Sequence, residues 1–286
     1  LATTIHVEGN IKHKEYKAKG TIQQIDYNQY SYHNVTVDGS YDNGMLDGKL
    51  NIDDPNLIAD LNGSLNTNSK NRSANLTAEV KHFNPATVHL LKNELGSATY
   101  SGTIIASFTG NNLNTAMGNL YITDFTKTTH EGEYRLDSLH LQAGNNELGH
   151  YLTLRSDFAE AELTGRFDYT TLTQSIKNAI VRKLPSIPHL STIRFRKTQA
   201  NNFSLKATIK HSDWMREFLN IPIEFTEPAY ISGDLKSGTD NIDANIFVPN
   251  IIYDDKHYKN VSVVVNSLND NLNADISAIK MDRNGI

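Results

Sequence analysis

Eleven histidines and several adjacent carboxylates are the residues of this chain best equipped for chemistry. A zinc site on a helix needs two histidines one turn apart with an acidic partner. His130-Glu131-Gly132-Glu133 supplies only one and lies between two alternating segments. None of the eleven has ligand spacing, and solvent-facing positions on strands account for them. Glycoside hydrolysis needs two carboxyl groups facing each other across a sugar. Asp53-Asp54 and Asp254-Asp255 are neighbours in segments that look like turns, where Asp stabilises the backbone locally. Asp42-Asn43-Gly44 and Asp47-Gly48 suggest a calcium loop, but a strand register explains them better. No phosphate-binding loop, nucleophile elbow or Ser/His/Asp arrangement stands out. Cysteine is absent, which removes disulfides, thiolate metal sites and thiol nucleophiles together. The expectation is a chain with no catalytic residues, no metal and no cofactor, and hence not an enzyme.

Charge narrows the partners. The 27 basic and 32 acidic residues are scattered, the net charge is -5, and no basic stripe forms, so nucleic acid is a poor partner. No run of 18 apolar residues exists to cross a bilayer as a helix, and no signal-peptide pattern is present. The chain starts at Leu1 and stops at Ile286 just after a strand-like segment. It is expected to be an internal piece of a longer protein, with any membrane anchor outside it.

The dominant pattern along the chain is alternation with period two. Ile5, Val7, Gly9 and Ile11 alternate with His6, Glu8 and Asn10. Gly102, Ile104, Ala106, Phe108 and Gly110 alternate mainly with Thr103, Ser107 and Thr109. Ile242, Ala244, Ile246 and Val248 follow the same rule. Successive side chains on a strand point to opposite faces, so each segment has one apolar and one polar side. That describes an antiparallel, half-solvated sheet.

One hairpin fixes its own register. Asn43-Gly44 suits a type I′ turn. A two-residue loop there pairs Asp42 with Met45, Tyr41 with Leu46, Gly39 with Gly48, Val37 with Leu50 and Val35 with Ile52. The intervening pairs, Ser40/Asp47, Asp38/Lys49 and Thr36/Asn51, are polar, and a slip of one residue ruins the match. A motif of Ala, apolar residue and Gly at alternate positions recurs at 59–65 and 161–167, with looser copies at 106–110 and 229–235. Tyr32-His33-Asn34-Val35-Thr36-Val37 is echoed by Tyr258-Lys259-Asn260-Val261-Ser262-Val263. Irregular spacing excludes a fixed-period solenoid.

Three helices are expected among the strands. Asn84 caps the first, near 84–95, with Pro85 at its first position and Gly96 beyond its end. The second has Thr171 and Gln174 at capping-box spacing, a stripe of Leu172, Ile176, Ala179, Ile180 and Leu184, and Pro185 as its stop. It is expected to cover part of the sheet; a place on a membrane surface is the other possibility, with Lys177, Arg182 and Lys183 off the stripe. The third runs near Asp213 to Leu219 and stops before Pro222. The organisation expected is a β-groove segment over 1–168, a helix and Pro-containing connector over 169–200, and a continuation of the groove over 201–286.

The stretch Asp157-Phe158-Ala159-Glu160-Ala161-Glu162-Leu163-Thr164-Gly165-Arg166-Phe167-Asp168-Tyr169 runs straight into the second helix and Lys183-Leu184-Pro185. With Tyr32-His33-Asn34-Val35, Asp53-Asp54-Pro55-Asn56 and the segment from Tyr253 to Val263, it resembles the TamB family. This is the translocation and assembly module group of AsmA-like envelope proteins, here in its Bacteroidetes form. The resemblance implies a mainly β fold, an elongated antiparallel sheet curled into an open groove (a β-taco) with an apolar interior. It also implies a long periplasmic protein of the bacterial cell envelope, with an inner-membrane anchor and a reach to the outer membrane. Its implied roles are phospholipid movement between the membranes and outer-membrane protein assembly, with a barrel partner met through parts outside this chain. No catalytic residues carry over.

The residues add an independent expectation. If roughly fifteen to twenty strands stack about 4.8 Å apart, the apolar face extends for roughly 70–95 Å. Acyl chains need such a dry track, each buried methylene contributing about 0.8 kcal/mol. The expected lining is Val35, Val37, Tyr41, Leu46, Leu50, Ile52, Ala59, Leu61, Leu65, Ile104, Ala106, Phe108, Ala161, Leu163, Phe167, Ile231 and Leu235, with phospholipid acyl chains as the partner. The competing expectation is a surface adhesin or glycan-binding β-sandwich module, in which the same apolar faces pack on each other.

Overall fold

The computed structural model describes residues 4–68, 72–90, 98–183, 196–219, 222–268 and 271–281. The alternating segments become strands, and the 17 strands among the described residues belong to an antiparallel sheet that does not close. Their backbone contacts separate into two compact units, Leu1–His140 and Leu141–Ile286. The division falls inside a strand, and the described residues of the stretch 169–200 belong to the second unit with the strands that follow them.

The first unit is a meander of β1 (Thr4–Asn10), β2 (Glu15–Tyr27), β3 (Tyr30–Asp42), β4 (Met45–Asp54), β5 (Leu57–Asn66), β6 (Ser73–Phe83), β7 (Thr99–Thr109) and β8 (Met117–Thr128), followed by the start of β9 (Glu133–Asn146). From β1 to β8, each strand pairs with the next. All eight pairs expected around Asn43-Gly44 are present. Asn43 and Gly44 have φ of 45° and 93°, the left-handed geometry that matches the twist of the flanking strands.

One end of the apolar face in this unit is covered. Asn84 caps as expected, but the described residues 85–90 form a turn rather than the expected helix: the Asn84 side chain accepts from the Thr87 amide at 3.1 Å, and its carbonyl accepts from the Val88 amide at the same distance. That turn drives Val88 into a core with Tyr32 and Val35, surrounded by Ile22, Val37, Leu50, Ile52 and Phe83. Residues 91–97, where the rest of the expected helix and Gly96 fall, lie outside the described residues.

The second unit takes the end of β9 and continues through β10 (Gly149–Ser156), β11 (Ala159–Arg166), α1 (Leu172–Lys183), β12 (Asn202–Ile209), α2 (Asp213–Leu219), β13 (Ile223–Phe225), β14 (Ala229–Lys236), β15 (Asn241–Tyr253), β16 (Lys256–Leu268) and β17 (Asn271–Met281). β12 pairs with β14 and short β13 pairs with β15, so the chain crosses α2 without breaking the sheet. The third helix has its expected span.

The second helix differs in its buried face. Ser175, Asn178 and Ala179 are buried, whereas Leu172, Ile176 and Ile180 of the expected stripe are only half-buried. The reason is the irregular segment at 196–201, whose polar groups find partners on the helix. Asn178 donates to the Arg196 carbonyl at 2.7 Å, and the Ser175 and Thr198 hydroxyls lie 3.1 Å apart. The Thr171 hydroxyl accepts from Asn201 at 3.0 Å, and Gln174 donates to Asn178 at 2.8 Å. Leu184 and Pro185 lie outside the described residues.

Candidate functional site

Strand register decides whether the expected lining is one surface. In the first unit it is. Val37, Leu50, Leu61, Ala78 and Ile104 stand side by side across β3 to β7. A neighbouring row runs Val35, Ile52, Ala59, Val80, and another runs Tyr41, Leu46, Leu65, Ala74, Phe108. Between them Gly39, Gly48 and Gly63 line up with Leu76 and Ala106. β2 extends the rows with Ile22, Gly20, Ala18 and Tyr16.

Exposure grades along these rows. Val35 is buried beneath the capping turn and Ala59 is buried too, while Val37, Leu50, Ile52, Leu61, Ile104, Ala106, Phe108 and Tyr41 are half-buried. Leu46 and Leu65, at the uncapped side, keep 45% and 41% of their surface in solvent.

The second unit repeats the arrangement. Ala161, Ala207, Ile231, Ile246, Val263 and Ile276 form one row from β11 to β17. Leu163, Leu205, Gly233, Ala244, Val265 and Ala274 form the next. Ala161, Leu163 and Ile231 are half-buried. Leu235 and Phe167 are enclosed, at 2% and 5% exposure. Phe167 meets Tyr169 and Phe203 edge-on, with ring centroids 5.1 and 6.3 Å away, so it serves a local aromatic core.

The opposite, polar face of the first unit holds an arrangement that the alternation contained but that apolar residues alone do not reveal. Lys19, Asp38, Lys49, Asn62 and Thr77 form one row across β2 to β6, and Lys17, Ser40, Asp47, Ser64, Asn75 and Ser107 form the next across β2 to β7. They flank a trough of about 830 Å³ whose floor is the backbone at Ala18, Gly39, Gly48 and Gly63. The hairpin register already paired Asp38 with Lys49 and Ser40 with Asp47. Extending it strand by strand is the signal that finds the trough. Tyr121, beside Ile105 on the same face, stacks on His140 with ring centroids 4.1 Å apart.

Among the described residues the most buried ionisable group is Asp54, whose side chain has no exposed surface. Burial alone would raise its pKa. Hydrogen bonds from the Tyr30 hydroxyl at 2.6 Å, the Asn56 amide at 2.9 Å and His33 prevail, and they hold the carboxyl below its ordinary value. Burial first, then the bond to Asp54, pushes the Tyr30 phenol up. The arrangement locks the turn at Asp53-Asp54-Pro55-Asn56, the local stabilising role expected of these carboxylates. Asp254 and Asp255, with φ of 51° and 56°, likewise form the turn between β15 and β16. Among the described residues no three His, Asp or Glu side chains gather to hold a metal, and no helix is long and apolar enough to cross a membrane. No protein-family model, curated protein or solved structure matches the chain.

Proposed function

We propose that this chain is part of a periplasmic envelope scaffold of the TamB type, whose apolar face carries phospholipid acyl chains between the inner and outer membranes or supports outer-membrane protein assembly. The observation that carries the reading is the unbroken apolar row in each unit, left partly open to solvent beside Leu46 and Leu65. Burying an acyl chain there gains about 25 cal/mol per Å² of apolar surface removed from water. A β-sandwich would bury these same side chains against a second apolar layer. The exposure of Leu46 and Leu65 favours the open track over that alternative.

Photocrosslinking amino acids at Val37, Leu61, Ile104 and Leu163, introduced in cells, are expected to capture lipid. The same probes at Asp38 and Asn62, on the other face, are expected to stay free of it. Capture confined to Asp38 or Asn62 would refute the reading. Native mass spectrometry of the purified chain adds an independent check through co-purified lipid.

A further inference from the structure

The polar trough has properties that solvation alone does not require. Its two side-chain rows cross the strands, so a hydroxyl, amide or charged group recurs at the strand spacing of about 4.8 Å. An extended pyranose chain repeats at nearly the same interval. The charges in the trough cancel: Lys17, Lys19 and Lys49 stand against Glu8, Asp38 and Asp47. A polyanion therefore finds no net attraction there. What remains is hydrogen-bonding capacity. Asn75 donates to Ser64 at 3.2 Å and accepts from Ser107 at 2.7 Å, forming a chain of groups that each donate and accept, as sugar hydroxyls do. Small floor residues let a ligand approach the backbone closely.

Aromatic rings complete the set. Tyr121 keeps 41% of its surface exposed on this face although it is stacked on His140. The second unit offers the same combination by itself. Tyr230 and Phe247 pair across β14 and β15 on the polar face, 50% and 40% exposed, beside Ser232, Asn245 and Lys206 in a hollow of about 290 Å³. Ring faces bury the apolar side of a pyranose while neighbouring amides and hydroxyls take its hydroxyls.

We propose that the polar face binds an extended, neutral β-1,4-linked polysaccharide running across the strands, seated in the trough and stacked on Tyr121. This does not rest on the lipid reading, since it uses the opposite face and other residues.

The test is isothermal titration of the full chain with chitohexaose, cellohexaose and maltohexaose, with heparin as the anionic competitor. Chitohexaose or cellohexaose is expected to bind, and the pair Asn75→Ala/Ser107→Ala to weaken that binding at least tenfold. Tyr121→Ala should weaken it about fivefold, and Leu61→Ser, on the apolar face, should leave it unchanged. Circular dichroism confirms that the exposed-face variants stay folded. Absence of binding by both β-linked hexasaccharides overturns the proposal. So does preference for heparin, or binding that the Asn75/Ser107 pair does not alter.

Discussion

Asp54 shows how a single side chain couples a turn to the solution. Its carboxyl is lowered in the folded chain because the bonds from Tyr30, Asn56 and His33 outweigh the burial that opposes them. The unfolded carboxyl titrates near pH 3.9. A depressed folded pKa contributes stability that is complete above the unfolded value and is lost as pH falls toward the folded one. The urea midpoint of the native chain is therefore expected to drop from about pH 5 downward, in part through this group. Asp54→Asn should cost about 2 kcal/mol at neutral pH, because it replaces a carboxylate oxygen with a donor facing donors. It should also flatten the acid limb of the midpoint profile; an unchanged limb would remove Asp54 from this role. The turn itself was legible in Asp53-Asp54-Pro55-Asn56. The burial was not, because Tyr30 and His33 reach Asp54 from another strand.

At the scale of elements, alternation identified strands, and the twist between them left its own marks. Asn34 and Asn260, equivalent positions in the echoed motif, both adopt left-handed φ near 50° and interrupt otherwise regular strands. The motif thus encodes a bend as well as an apolar pattern. Gly118 has φ of 153°, and a Cβ there would lie 1.9 Å from the Ser107 carbonyl oxygen on the paired strand. Gly118→Ala is expected to destabilise the chain by about 2–3 kcal/mol, measurable as a lower denaturation midpoint. Val88→Ala should cost about 2 kcal/mol by opening a void beneath the capping turn, with faster amide exchange at Tyr32 and Val35 as its local signature. Equal exchange in the two proteins would mean that the turn does not hold that core. The rotated buried face of α1, which keeps Ala179 but adds Ser175 and Asn178, was illegible for a related reason. Its amphipathic stripe is local, but burial of Ser175 and Asn178 depends on their partners Thr198 and Arg196 further along the chain.

For the whole molecule, the two faces are expected to be separable by mutation. Leu61→Asp should abolish lipid adducts and leave saccharide titration intact, whereas Asn75→Ala/Ser107→Ala should do the reverse. Loss of both activities in either protein would show that the faces do not act independently. Alternation of side chains is a property of each strand alone. The sequence by itself therefore determined the mainly β character, the two chemically distinct faces and the register of the Asn43-Gly44 hairpin. Which stretch of each face is covered, and where a hollow opens, depends on twist and bulges accumulated over many strands and on segments returning from far along the chain. Only the tertiary structure decided that Val88 closes one end of the apolar rows, and that Gly39, Gly48 and Gly63 floor a trough on the polar side.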